Sequence, residues 1–327
     1  MKVLITGSGA SGVLGSAVYQ AFRAVKGAEV KGTAHTRPSG DVIAIDLCDE
    51  PSATKLIQDF KPDWVIHCAA ERRPDVAAMV RDLRSMRLAS TSLTIIPPIE
   101  NPEATRVLNG VAPATLARLS SVEEHPFTLI YISTDYVFDG TAAPYSVDAK
   151  PNPVNLYGET KLAGERAVLD DGYQEKSGQR VVLRVPVLYG PAPKNSDSAI
   201  NVLVDIVNDQ SGKQYTMDHY ATRYPTNVLD IADFLVRLTD LKKQLPPILH
   251  YSGTEPYTKY EICLVLAKIL NVSHDHIIPD AADPPPNLGV SRPKDTQLSL
   301  DVLENLGVEI GGRDFATWWG QYLFSKA

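Results

Sequence analysis

Short β-rich runs alternate with helical segments along the first 190 residues, and this alternation limits the possible folds more than any other feature of the sequence. The β-rich runs lie at residues 2–7, 29–34, 42–45, 64–68, 128–133 and 181–185. Helical patterns lie at residues 51–60, 105–119 and 160–169, and another follows the first run. Several runs are continuously apolar, as strands buried on both faces of a parallel sheet are. The alternation therefore predicts a doubly wound parallel α/β sheet with right-handed crossovers.

The alternating pattern loosens after residue 190. Helices are predicted near residues 199–207 and 230–241, with proline-rich loops at 246–247 and 284–286. A chain of 327 residues is long enough for one large domain or for two modules. We expect residues 1–190 to form the main domain and residues 191–327 to form a smaller lobe that is partly interleaved with it.

Charge and cysteine content exclude several classes of protein. The 32 Lys and Arg residues are outnumbered by 39 Asp and Glu residues, so the net charge of −7 argues against a general nucleic-acid or acidic-membrane surface. Cys48, Cys68 and Cys263 form no Cys-x-x-Cys pair and predict neither a disulfide framework nor a metal site. With no signal-like start and no apolar stretch of about 18 residues, the sequence predicts a cytoplasmic protein.

A glycine-rich turn stands between the first strand and the first helix. Strand, glycine turn and helix in this order are typical of a Rossmann-type nucleotide-binding fold, because backbone N–H groups and the helix dipole can hold a pyrophosphate there. The alternative is a flexible surface turn, which the position of the turn at the first strand makes the weaker interpretation. The residues predicted to bind the cofactor here are Gly7, Gly9, Ser11, Gly12, Val13, Leu14 and Gly15.

The end of the second strand bears on the choice of cofactor. NAD sites usually place a carboxylate there, on the ribose 2′-hydroxyl, whereas this sequence reads Thr-Ala-His-Thr-Arg at residues 33–37. Arg37, helped by His35, would pair with a 2′-phosphate, which favours NADP over NAD. The alternative is that Arg37 is an exposed loop residue. Asp46 and Leu47 are placed to meet the adenine, although Asp46 would serve equally as the N-cap of the next helix.

A tyrosine and a lysine stand one helical turn apart further along the chain. Tyr157 and Lys161 are four residues apart, on one face of a predicted helix, so the lysine can lower the tyrosine pKa and hold a nicotinamide ribose. The spacing suits proton transfer from Tyr157 to a substrate carbonyl. Ser133 and Thr134 lie at the end of a buried strand, where ligands bind in such sheets, and would polarise the oxygen of that carbonyl. Alone, a Tyr-x-x-x-Lys string usually marks a solvated helix face.

Three longer strings carry a family resemblance: Tyr131 to Gly140, Leu156 to Leu162 and Arg184 to Gly190. They resemble the extended short-chain dehydrogenase/reductases of the dTDP-4-dehydrorhamnose reductase (RmlD-like) type. Within that group, strings at residues 67–75, 217–226, 251–261 and 291–298 are most similar to the regulatory beta subunits of methionine adenosyltransferases. The likeness covers most of the chain.

The resemblance implies an NADP(H) site and a role for each matching residue. It makes Thr134 the carbonyl-polarising hydroxyl, Tyr157 the acid/base group and Lys161 the ribose-binding lysine, while Asn109 matches the helix asparagine that supports a proton relay. The cofactor groove would be lined by Ala69, Ala70 and Arg72, and closed by Pro186 and Leu188. Residues implied on the substrate side are Arg73, Asp135 and Arg223. Arg72 and Arg73 would hold a phosphate or a carboxylate, or else are solvated loop arginines.

Three functions are consistent with these motifs. The first is a regulatory subunit that binds NADP and a methionine adenosyltransferase catalytic subunit, and so acts in S-adenosylmethionine biosynthesis. The second is an active NADPH-dependent reductase of 4-keto-6-deoxysugar nucleotides, and the third is a redox-sensing nucleotide binder with another partner. In the regulatory family a longer basic C-terminal extension helps to bind the catalytic subunit, whereas this sequence ends at Ala327, which argues against that particular contact.

Two departures from the family pattern affect the main domain. Four residues separate Gly7 from Gly12, so the glycine loop is about two residues longer than the family's usual Thr-Gly-x-x-Gly-x-x-Gly turn. About 21 residues, near 80–100, have no counterpart in the family pattern. They are either a surface insertion or a translated intron, and sequencing the cDNA distinguishes the two.

Overall fold

The computed structural model describes eight stretches of the chain: residues 1–9, 12–35, 40–70, 105–122, 124–169, 178–241, 243–282 and 292–325. Four residues of the predicted cofactor and substrate sites lie outside them, namely Ser11, Arg37, Arg72 and Arg73. The proposed insertion near residues 80–100 also lies outside the described residues.

A parallel sheet of seven described strands forms the centre of the molecule. Its strands are β1 (Lys2–Thr6), β2 (Glu29–Ala34), β3 (Ile43–Ala44), β4 (Trp64–His67), β5 (Thr128–Thr134), β6 (Arg180–Val185) and a strand near the C-terminal half, β10 (Ile248–His250). The spatial order is β10-β6-β5-β4-β1-β2-β3, and every neighbouring pair is parallel. The doubly wound α/β fold is therefore confirmed, with the order of the strands reversing between β1 and β4.

Helices cover both faces of this sheet. The long described helices are α1 (Val13–Arg23), α2 (Glu50–Phe60), α3 (Ala112–Ser120), α4 (Leu156–Leu169), α5 (Val202–Asn208), α6 (Val228–Thr239), α7 (Lys259–Leu270) and α9 (Phe315–Phe324), with a short α8 (Asp301–Asn305). Val3 and Ile5 pack in one apolar cluster with α1 and α6, whereas Leu4 packs in another with α2, α3 and α4. Successive strand residues point to opposite faces, so both faces are buried.

Local sequence signals explain where several helices begin and end. Helix α2 is capped by Asp49, whose carboxylate accepts a hydrogen bond from the Ser52 N–H, and Pro51 fits the first turn. The interpretation of Asp46 as the N-cap of this helix is therefore wrong. Helix α7 begins with a capping box of Thr258 and Glu261, in which each side chain accepts a hydrogen bond from the other residue's backbone N–H.

The second half of the chain contributes both to the main sheet and to a smaller lobe. Strand β10 joins the main sheet beside β6, and α6 packs against α1. The lobe contains two small parallel pairs, β7 (Leu188–Tyr189) with β9 (Thr226–Asn227) and β8 (Tyr215–Asp218) with β11 (Ile277–Asp280). Helices α5, α7 and α9 pack around Trp319 in its apolar core. The boundary near residue 190 stays a prediction.

None of the described helices is both long enough and apolar enough to cross a membrane.

Helix α9 offers a test of the core of the smaller lobe. Trp319 is completely buried among Tyr189, Phe315 and Trp318, so Trp319→Ala should lower the free energy of unfolding by about 3–5 kcal/mol. Phe324, in the same helix, is 70% exposed, and Phe324→Ala should change it by less than about 0.5 kcal/mol. Urea unfolding of both variants measures the difference, and equal losses would contradict this description of the core.

Candidate functional site

The glycine turn lies at the carboxyl end of β1, beside the carboxyl end of β4. Gly7 has a φ of +71°, and a Cβ atom there would lie 2.7 Å from the backbone N of Ala69. A side chain at this position is therefore excluded both by backbone conformation and by space. The strand order reverses between these two strands, which is where open α/β sheets bind their ligands.

The start of α1 is shaped to receive an anion. A Cβ atom at Gly12 or Gly15 would overlap the carbonyl oxygen of Gly7, so the turn closes tightly over the helix. The N-cap residue, Gly12, provides no side-chain hydrogen bond, and the first turn contains no acidic residue. Its N–H groups and the positive end of the helix dipole thus fit a phosphate. Val13 and Leu14 bury their side chains in the core, so they can contribute only backbone N–H groups.

A buried hydroxyl joins the ends of β1 and β4. The Thr6 hydroxyl oxygen accepts a hydrogen bond from the Ala69 N–H at 3.3 Å and lies 2.7 Å from Nδ1 of His67. Burial, followed by the positive charge of Lys161, lowers the pKa of His67 to about 3, so the imidazole is neutral at physiological pH. Ala69 and Ala70, predicted to line the groove, follow β4 and are half-buried.

The predicted adenine edge lies at the ends of β2 and β3. His35 and Asp46 are exposed, and their side chains approach to 3.9 Å. Asp46 also accepts a hydrogen bond from the backbone N–H of Cys48 at 2.9 Å, whereas Leu47 is buried. The structure thus places His35 and Asp46 together at the carboxyl edge of the sheet.

The helix that carries Tyr157 and Lys161 begins at Leu156, four residues earlier than its sequence pattern predicts. Asn155 holds its first turn by accepting a hydrogen bond from the Gly158 N–H at 2.9 Å. Lys161 is only 2% exposed, and its ammonium donates to the Ile132 carbonyl at 2.7 Å and lies 4.0 Å from the centre of the Tyr131 ring. Burial lowers the pKa of Lys161 to about 7, against the opposing effect of the Glu165 charge.

Thr134 and Asp135 lie at the carboxyl end of β5. The Thr134 hydroxyl donates to Asp135 at 3.1 Å and accepts from the Tyr136 N–H at 3.2 Å. The other carboxyl oxygen of Asp135 accepts from Thr296 at 2.5 Å. Burial raises the pKa of Asp135 to about 6. The Tyr136 ring meets the ring of Tyr157 edge-on, with centres 6.2 Å apart, which brings this strand end next to the predicted acid/base group.

Asn109 lies in a π-helical turn, Val107–Val111, that leads into α3. Single π-helical turns are frequent at functional sites. The Asn109 side chain donates to the Thr160 hydroxyl at 3.0 Å, and Thr160 in turn donates to the Tyr157 carbonyl at 3.0 Å. The Asn109 carbonyl accepts a 3.4 Å hydrogen bond from the Tyr131 hydroxyl. The structure therefore connects Asn109 to α4, and its relay role stays a prediction.

Arg223 is 2% exposed and holds backbone together. It donates hydrogen bonds to the carbonyls of Thr222 at 3.0 Å and Pro293 at 3.3 Å. Its guanidinium carbon lies 5.7 Å from the centre of the Tyr136 ring. One terminal nitrogen lies 4.0 Å from the Asp218 carboxylate, and neither atom has a hydrogen-bond partner in the described part of the chain. Its predicted place on the substrate side is thus a buried one, close to Asp135.

Pro186 and Leu188 connect β6 to β7 at the same edge of the sheet. Pro186 is buried and Leu188 half-buried, and the Leu188 carbonyl accepts a hydrogen bond from Ser198 at 2.8 Å. That Pro186 and Leu188 would close over a bound nicotinamide stays a prediction.

Motif reasoning missed several buried polar side chains near this site. Glu165, Arg184 and His67 are each almost completely buried. Signals for two of them were available: Glu165 stands four residues after Lys161, and Arg184 interrupts an apolar strand run. Across the stretches that the structure describes, no three His, Cys, Asp or Glu side chains group as metal ligands do.

Glycine substitutions test the shape of the nucleotide cradle, which is the turn formed by Gly7, Gly12 and Gly15 at the start of α1. Gly15→Ala should weaken binding of NADP(H) at least tenfold and lower stability by about 1–3 kcal/mol, because its methyl group would overlap the Gly7 carbonyl. Gly320→Ala is the matched control: a Cβ there meets nothing within 4 Å, and alanine should stabilise α9 by about 1 kcal/mol. Calorimetric titration and thermal unfolding measure both effects. Unchanged binding in Gly15→Ala would contradict the cradle.

The raised pKa of Asp135 predicts a pH-dependent stability. The folded state binds the Asp135 proton more tightly than the unfolded state does, because the pKa of the unfolded state is near the ordinary 3.8. The stabilisation that this proton provides is therefore complete below pH 3.8. It is lost as the pH rises through about 6. Asp135→Asn should remove this part of the pH dependence, so the stability of native protein relative to the variant should fall as the pH rises over this range. Urea unfolding at several pH values measures it, and parallel curves would contradict the assignment.

Comparisons with known proteins identify the family of this chain. A family model described as the RmlD substrate binding domain matches residues 1–92 and 99–315. Methionine adenosyltransferase 2 subunit beta of Xenopus laevis is 41% identical over 311 residues, which are 94% of this chain and 83% of that protein. The protein of the same name from Rattus norvegicus is 39% identical over 312 residues, with the same shares covered.

A solved structure shows the same fold. The dTDP-4-dehydrorhamnose reductase from Bacillus anthracis, in complex with NADP, matches with a TM-score of 0.73 at 21% identity and covers 99% of both chains. The resemblance that the motifs predicted is thus confirmed along nearly the whole sequence. This chain belongs to the RmlD-like family of extended short-chain dehydrogenase/reductases, and within that family it is similar to the beta subunits of methionine adenosyltransferase 2.

Proposed function

We propose that this protein is a regulatory beta subunit of a methionine adenosyltransferase, that it binds NADP(H), and that it acts in the cytoplasm. The observation that carries the proposal is the 41% identity to a subunit of that name over 94% of the chain. Identity at this level extends far beyond the residues that reduction chemistry would require. Its partner would be the catalytic subunit that makes S-adenosylmethionine.

The nucleotide cradle supports NADP(H) as the bound molecule. The uncapped start of α1 would hold the pyrophosphate, and Gly7 lets it approach the ends of β1 and β4. Ala69 and Ala70 would line the groove, with Lys161 on the nicotinamide ribose. Arg37, which follows β2 in the sequence, would pair with the 2′-phosphate.

An active sugar-nucleotide reductase is the second candidate, because one helix carries both Tyr157 and Lys161 and Thr134 lies at the adjoining strand end. A bound nicotinamide would supply hydride. Tyr157 would then donate the proton to a carbonyl oxygen that Thr134 polarises. Thr134 and Lys161 are, however, already hydrogen-bonded to Asp135 and to the Ile132 carbonyl. Lys161 keeps two further N–H donors, but the Thr134 hydroxyl has one proton and would have to exchange Asp135 for the substrate carbonyl. The regulatory scaffold does not require this exchange.

One comparison separates the two functions. The chain is co-expressed with a tagged methionine adenosyltransferase catalytic subunit, and co-purification is measured. In parallel, NADPH and NADH binding are titrated, and NADPH oxidation is followed with a dTDP-4-keto-6-deoxysugar, using native protein and Tyr157→Phe.

We expect a stable complex, tighter binding of NADPH than of NADH, and no turnover above background. Turnover that Tyr157→Phe abolishes, without co-purification, would establish the reductase instead. Because Tyr157→Phe removes one hydroxyl and keeps the ring against Tyr136, loss of folding is not expected to explain its effect.

A further inference from the structure

Helix α4 is joined to strand β5 by two buried hydrogen bonds, one helical turn apart. The Lys161 ammonium donates to the Ile132 carbonyl at 2.7 Å, and the Ser133 hydroxyl donates to the Glu165 carboxylate at 2.5 Å. Residues four apart lie on the same face of a helix. Ile132 and Ser133, which are consecutive in β5, therefore bond two successive turns of α4. The position of Lys161 is therefore coupled to that of Glu165.

The second of these bonds continues into β6 through a buried ion pair. Arg184 donates to both carboxylate oxygens of Glu165, at 3.0 Å and 2.8 Å, and both side chains are 2% exposed. Such a two-pronged contact fixes the orientation of the carboxylate. Arg184 also lies 3.3 Å from His250 of β10. Glu165 thus connects the helix of Lys161 to strands β5 and β6.

The other groups around Lys161 are neutral at physiological pH. From the end of β4, burial lowers the pKa of His67 to about 3 and raises that of the Cys68 thiol to about 12. From β5, burial raises the pKa of Tyr131 well above its ordinary value. Glu165 is accordingly the anion, among the described neighbours, that opposes the cost of burying the ammonium.

We propose that Glu165 is a positioning residue of the NADP(H) site, which keeps Lys161 cationic and fixes the helix turn that presents it to the cofactor ribose. This inference rests on the proposed function, because it takes Lys161 as the ribose-binding group. Glu165 touches neither cofactor nor substrate, and acts through Lys161 and through its contacts with Ser133 and Arg184.

The proposal predicts the direction in which NADP(H) affinity changes with pH. Burial lowers the Lys161 pKa to about 7, so the ammonium loses its proton as the pH rises through that value. NADP(H) affinity should fall by about tenfold across this transition, because a charged donor is replaced by a neutral one. Replacing Glu165 by Gln removes the anion that opposes the effect of burial. The Lys161 pKa is then lowered further, so affinity should fall at a lower pH.

The experiment is a fluorescence titration of NADPH and of NADH from about pH 5.5 to about pH 9, the range around the proposed transition. It compares native protein, Glu165→Gln and Glu159→Gln. Glu159 is exposed on the same helix and receives the same substitution, so it is the matched control. NADH lacks the 2′-phosphate, whose own titration near pH 6 would overlap the signal. Lys161→Met identifies which part of the pH dependence belongs to the lysine.

We expect the midpoint to move to lower pH in Glu165→Gln, to stay unchanged in Glu159→Gln and to disappear in Lys161→Met. A purely structural role for Glu165 would instead lower thermal stability and affinity equally at every pH, and an unmoved midpoint would overturn the proposal.

Because breaking one side of a buried ion pair can prevent folding, a double variant, Glu165→Leu with Arg184→Met, removes both charges while keeping apolar volume. If Glu165→Gln does not fold, this double variant decides: a midpoint below that of native protein supports the proposal, and an unchanged midpoint overturns it. If native protein binds neither NADPH nor NADH at any pH, the proposed function itself fails, and the role of Glu165 fails with it.

Discussion

The close approach of the β1 and β4 ends is the constraint on which the candidate site depends. A Cβ at Gly7 would lie 2.7 Å from the Ala69 backbone, so the turn can pack against the neighbouring strand only because no side chain intervenes. Thr6 then bonds across the same junction to Ala69 and His67. Because the strand order reverses here, the ends of β1 and β4 and the start of α1 meet around one crevice.

Buried charge is the second organising feature, and it lies where α4 packs against β5 and β6. The ammonium of Lys161 and the Glu165–Arg184 pair are almost fully withdrawn from solvent. Such groups are costly to bury, and they persist only where hydrogen bonds satisfy them, as the Ile132 carbonyl and the Ser133 hydroxyl do here. These hydrogen bonds fix the orientation of α4 against β5 and β6.

Sequence reasoning succeeded where one periodic signal dominated. The alternation of strands and helices predicted the parallel sheet, and the spacing of Tyr157 and Lys161 predicted their common helix. It failed where two neighbouring residues offered the same local chemistry: Asp46 and Asp49 are both suitable N-caps, and only the path of the chain after β3 selects Asp49. Glu165 and Arg184 each carried a local signal, but the contact between α4 and β6 that pairs them is not encoded in any local pattern.

By itself, the sequence determined the fold class and placed the glycine turn between the first strand and the first helix, because both follow from short-range spacing along the chain. The groups that would meet a cofactor stay predictions. Tertiary structure alone decided how those groups are held. Spacing predicts Lys161 on the same helix face as Tyr157, and the structure shows that it is 2% exposed and bonded to the Ile132 carbonyl. The physical reason is that burial, counter-charge and hydrogen-bond partners are contributed by segments far apart in sequence, and these segments become neighbours only when the sheet assembles.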